Sequence, residues 1–150
     1  MSTNESYELS VTKVIRAPRD KVFEAWTTPE WLERWYGLAD DWQTPVAEVD
    51  LRAGGRYRLG LQPPGAPEPF FESGEYREVV VNERLVYTVD STAWEGTQTV
   101  TVEFRDHPDG CEVALVETGY PTEKLRDEHA GGWPRFVDRL GRVVEAAVSA

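Results

Sequence analysis

The 150-residue chain has one cysteine, Cys111, and two histidines, His107 and His129. A single thiol closes no intrachain disulfide, and neither a cysteine-based nor a histidine-rich metal centre can be assembled from this set. Positive charge is also scarce: 16 Lys and Arg stand against 27 Asp and Glu, a net charge of −11. A duplex or an anionic membrane is repelled by that field unless basic residues gather locally. They do not, because Glu48 and Asp50 precede Arg52, Arg56 and Arg58 on the same segment. Nucleic acid and membranes are therefore not expected partners, and no metal or other cofactor is expected. Apolar runs stop after a few residues, as at Val79-Val80-Val81, too short for a membrane-spanning helix. Residues 1–6 lack the basic start and apolar stretch of a signal peptide, so a cytoplasmic location is expected. No phosphate-binding loop, dinucleotide fingerprint or G-x-S-x-G nucleophile motif occurs.

Aromatic residues are plentiful, with six Trp, six Tyr and five Phe. The length suits one domain over residues 1–150, with residues 1–6 expected to form a disordered tail. Tyr7 to Ile15 alternates apolar and polar positions and reads as a strand. Pro18 with Asp20, then Thr28 with Pro29, mark the starts of two short helices, the second with Thr28 as N-cap. From about residue 44 the period changes to two, and Asn82-Glu83 and Asp109-Gly110 supply tight turns. Gln62 to Pro69 is a Pro-rich loop, either a plain insertion or a flap over a pocket. From Leu125 to Ala147 apolar residues recur every three or four positions, one long helix starting after Thr122. Gly131, Gly132 and Pro134 predict a kink or short break near residues 130–133.

The expected architecture is α+β: a curved antiparallel sheet of about seven strands wrapped around the long C-terminal helix. The first strand closes one edge, and the two short helices lie between strands 1 and 2 and plug one end of the groove. Curvature makes the helix stand off from the sheet in places, and Gly54, Gly55, Gly60 and Gly74 suit bends or close approaches. The segments VTKVIRAPRDKVFEAWTTPEWLERWYG, RAGGRYRL, FESGEYREVVVNERLVYT and HAGGWPRFVDRL resemble bacterial homologues of the heat-shock-protein-90 ATPase activator domain. That family lies in the START-like, helix-grip superfamily, also called SRPBCC, which includes polyketide cyclases and lipid carriers. The resemblance implies the helix-grip fold, an inward-facing Trp133, a chaperone-type ATPase as a partner, and by extension a stress response.

A pocket lined by Trp26, Trp35, Tyr57, Phe71, Tyr76, Tyr87, Phe104, Trp133, Phe136 and Val137 is expected to enclose a small apolar or aromatic ligand. Glu117 shares the face of Val113 and Leu115, and Glu72 that of Phe70, Gly74 and Tyr76. A carboxylate desolvated there has a raised pKa and suits general acid or base work. Glu117 and His129 are the candidate catalytic residues of a cyclase- or hydratase-like alternative. The plainer expectation is a Glu117 at the strand end, exposed or paired with an arginine, and a His129 hydrogen-bonded to backbone at the kink. A homodimer is a further possibility.

Overall fold

The computed structural model describes residues 7–149, so the tail over residues 1–6 lies outside the described residues. Strand β1 (Tyr7–Ile15) turns its odd-numbered side chains inward and ends on the fully buried Ile15. Pro18, with φ −61°, occupies the N-cap position of helix α1 (Arg19–Thr27), and Asp20 sits in the first turn. Thr28 then separates α1 from α2 (Pro29–Trp35). The sequence predicts Thr28 as a side-chain cap of α2, but its hydroxyl donates back to the Glu24 carbonyl at 2.8 Å. Thr28 also ends α1, so the carbonyl four residues earlier lies within its reach and wins the proton.

Six antiparallel strands follow: β2 (Gln43–Val49), β3 (Arg56–Gln62), β4 (Phe70–Val80), β5 (Arg84–Ser91), β6 (Thr97–His107) and β7 (Gly110–Tyr120). The sheet order is β1-β7-β6-β5-β4-β3-β2, a meander whose last strand pairs with the first. Register shifts interrupt β1, β2 and β4, the bulges that let a sheet of long strands bend. Asn82 carries the positive φ of 64° that the β4–β5 turn requires, a conformation asparagine tolerates.

Helix α3 (Glu123–Ser149) begins at Thr122, whose hydroxyl accepts the Leu125 N–H at 3.1 Å. The break expected near residues 130–133 is absent, and α3 is continuous through Pro134. The proline ring removes one donor, but Ala130 and Pro134 both lie on the exposed side. Water therefore satisfies the carbonyl left without a partner, and the loss is not enough to end the helix. Its C-terminal half lies along β1, with Leu140 and Val144 fully buried, and Glu145 accepts the Arg16 N–H at 2.9 Å.

Arg139 ties α3 to the end of α2. Its Nη1 donates to the carbonyls of Trp35 at 2.9 Å and Gly37 at 3.3 Å, while Nε reaches Asp40 at 3.2 Å. A guanidinium at a helix C-terminus both satisfies orphan carbonyls and complements the dipole. Arg139→Met is expected to cost about 1–3 kcal/mol, since buried carbonyls lose their donor. Asp40→Asn should cost far less, because Asp40 stands open to solvent. Urea unfolding of both variants checks this; equal losses would mean that the exposed ion pair, and not the carbonyl capping, is what stabilises.

Candidate functional site

The two ends of the groove under α3 differ. Beneath the middle of the helix, aromatic rings from α1 and α2 fill the space: Trp26 stacks on Trp133 at 6.2 Å and 15°, and also meets Trp35 and Phe104. Toward the start of α3 the walls do not meet, and a pocket of about 200 Å³ remains. Helix α3 contributes His129, Gly132, Trp133 and Phe136. The sheet contributes Phe70 and Glu72 of β4, Val89 of β5 and Glu117 of β7. Tyr36, Leu38 and Trp42 after α2, Trp94 from the β5–β6 turn, and the exposed Glu128 complete it.

Two carboxylates are buried in this apolar lining. Glu117 is 2% exposed and Glu72 6%. Strand alternation turns Val113, Leu115 and Glu117 to the same covered face. Glu117 Oε1 accepts the Trp133 indole N–H at 2.6 Å and the Tyr120 hydroxyl. Tyr120, three residues on, belongs by alternation to the other face. Gly119, with φ +97°, turns the strand there, and a Cβ at that position would meet the Thr97 carbonyl oxygen at 2.7 Å. Only glycine adopts this conformation cheaply, so Gly119 is what brings Tyr120 back beneath Glu117. Glu72 Oε1 accepts the Tyr36 hydroxyl at 2.9 Å. No described residue donates to Oε2 of either carboxylate, yet among the described residues no side-chain polar atom is both enclosed and unpartnered. The free oxygens therefore keep surface facing the pocket.

Burial pushes the Glu72 carboxyl up to about 7, against the pull of the Tyr36 hydrogen bond, and the charge of Glu117 adds to the rise. Burial raises Glu117 as well, opposed by its Tyr120 and Trp133 donors and by His129. His129 Nδ1 donates to the Leu125 carbonyl at 3.0 Å. The imidazole sits between Trp94 at 4.4 Å and Tyr120 at 5.2 Å. Cys111 is fully buried, its thiol pushed up to about 11 by burial, and takes no part in the pocket.

Of the residues expected to line a pocket, Trp133 and Phe136 border this one, together with Glu117 and His129. Trp26, Tyr57, Tyr76 and Tyr87 surround a separate void of only about 20 Å³. Their rings meet edge-on or tilted, and Tyr57 hydroxyl donates to the Thr88 carbonyl at 2.7 Å. Trp35, Phe104 and Val137 are solid core. Phe71 lies on the other face of β4, under the Arg58 guanidinium at 4.0 Å, because its neighbours Phe70 and Glu72 take the inward positions. None of residues 63–69 lines the pocket, and the Pro-rich loop folds on itself through Gln62 Nε2 to the Ala66 carbonyl. Tyr36, Leu38, Trp42 and Val89 also line the pocket and carry no signal in the sequence. Most sit in connections, where no period tells which way a side chain faces.

A bent antiparallel sheet gripping one long helix, with two short helices after the first strand, defines the helix-grip fold. The sequence model of the family described as Activator of Hsp90 ATPase homolog 1-like protein matches residues 16–145, and the chain belongs to that family. Among solved structures, a Chromobacterium violaceum protein is 25% identical, with a TM-score of 0.83 over 92% of this chain and 97% of that one. An AHSA1-like protein from Aeromonas hydrophila is 26% identical, with a TM-score of 0.80 over 94% of each chain. A Staphylococcus aureus protein of unknown function shares the fold at 20% identity and a TM-score of 0.82, covering 99% of both chains. No curated protein matches the chain. No helix among the described residues is long and apolar enough to cross a membrane.

Proposed function

We propose that the chain binds a small apolar or aromatic molecule in the pocket under the first half of α3. The observation that carries this reading is the pocket itself: about 200 Å³, walled by aromatic rings, with two buried carboxylates as its polar features. That is the usual composition of a small-molecule site, mostly apolar with a few fixed polar groups. An apolar cavity of about 150 Å³ holds benzene, so this one takes a single ring with a short substituent. Burial of that body supplies affinity at about 25 cal/mol per Å². The family description names an ATPase activator. A docking face has less support, since among the described residues the open large apolar side chains are all valines, without the aromatic anchors that dominate interfaces.

Trp42, Trp94 and Trp133 report occupancy directly. Titration with single-ring aromatics is expected to change tryptophan fluorescence saturably. Gly132→Leu places a side chain in the space beside Leu38 and should abolish the change without harming α3, since leucine favours helix. Saturable binding that survives in Gly132→Leu would place the ligand elsewhere and refute the proposal.

A second reading, an enzyme with a carboxylate base, draws on Glu117. It is buried, raised in pKa, and held at Oε1 by two donors while Oε2 stays free. A positioned, desolvated carboxylate is a competent base.

A further inference from the structure

The pocket's charges have one sign. Glu72, Glu117 and Glu128 line it, and no lysine or arginine does. Glu72 and Glu117 are more than nine-tenths buried, and each uses one oxygen on a protein donor and leaves the other without one. Such a site has buried acceptors to satisfy. A carboxylate or phosphate ligand would meet two buried like charges, and a wholly apolar one would leave acceptors unpaired after displacing water. An ammonium group has donors to give, and its charge strengthens each hydrogen bond to a carboxylate. The walls favour it too, because the rings of Trp94, Trp133 and Phe136 present π-systems that attract a cation.

Building on the ligand-binding reading above, we infer that the occupant is a protonated amine carried on a body of about one aromatic ring. The ammonium lies between the free oxygens of Glu72 and Glu117, and the ring lies against Trp133, Phe136 and Trp94. Glu128, at the exposed edge, adds attraction to an approaching cation.

Calorimetric titration at about pH 8 with three compounds of matched size tests this: 2-phenylethylamine, 2-phenylethanol and 3-phenylpropionate. The amine is expected to bind at least about tenfold more tightly than the alcohol, and the acid not at all. In the double variant Glu72→Gln, Glu117→Gln the advantage of amine over alcohol should fall to about twofold or less. Its near-ultraviolet circular dichroism, compared with wild type, verifies that the pocket is still formed, and Glu117→Gln alone serves if the double variant fails to fold. If alcohol and amine bind equally and Gly132→Leu abolishes both, the pocket reading stands and the cation is overturned. Tightest binding by the acid overturns it as well. Binding by none of the three removes both.

Discussion

Glu72→Gln is expected to stabilise the protein at pH 8, by about 3 kcal/mol, and to change little at pH 4. The sign follows from where the proton is held. The carboxyl titrates at about 7 in the folded chain against an ordinary 4.5. Below 4.5 it is protonated in both states and contributes no difference. As pH rises from 4.5 to 7 the unfolded chain releases its proton while the folded one still holds it, so stability falls. Above 7 both are ionised and the penalty is constant. That gap, at about 1.4 kcal/mol per pH unit, gives the stated value. The groups facing Glu72 do not reverse it: the Tyr36 hydroxyl stays protonated over this range, and Glu117 pushes in the same direction. Glutamine keeps an acceptor for the Tyr36 hydroxyl. The wild-type urea midpoint should therefore fall between pH 5 and 8 while that of the variant falls much less. At pH 8 the variant should melt about 6–12 °C higher. Parallel stability curves for the two proteins would show that this carboxylate is not desolvated.

The same residue shows how far the sequence can be read. Inward orientation depends on parity along a strand, and parity is local, so Glu72 and Glu117 could be assigned to the covered face from alternation alone. The period of α3 likewise predicts Trp133, Phe136, Val137 and Leu140 as its packing side, and Thr122 as its cap. Which part of the groove stays empty is not local. It depends on whether the rings of α1 and α2 reach under the helix, and the stack of Trp26 on Trp133 is a contact between residues 107 positions apart. Aromatics such as Tyr57, Tyr76 and Tyr87 therefore read equally well as walls or as core, and the structure packs them around a space of about 20 Å³. The opposite error arises in connections. Leu38, Trp42 and Trp94 lack any periodic context, yet all three border the pocket. Tyr120 is a mixed case: alternation points it outward, and the positive φ of Gly119 reverses that. A glycine one residue before an aromatic at a strand end is the signal that could have flagged it.

Gly74→Ala is expected to cost more than about 3 kcal/mol or to prevent folding, the outcome when a core must part its backbones to admit a methyl group. A Cβ at residue 74 would stand 1.8 Å from the Thr88 carbonyl oxygen, backbone rather than a movable side chain. That oxygen cannot drift away freely, since it accepts the Tyr57 hydroxyl at 2.7 Å, and the Thr88 hydroxyl accepts the Glu75 N–H at 3.0 Å. Ramachandran freedom is not the issue here, because the position is constrained by contact and not by a left-handed φ. Gly131 supplies the contrast. It lies inside α3 with nothing within 4 Å of where its Cβ would go. Gly131→Ala removes only unfolded-state freedom, so it should gain about 0.5–1 kcal/mol. Thermal melts of the two variants should therefore move in opposite directions from wild type. A Gly74→Ala protein that melts with wild type would mean that β4 and β5 do not approach so closely at Thr88. In that case Glu72, two residues away on the same face, would lose the rigid backbone that holds its free oxygen toward the pocket.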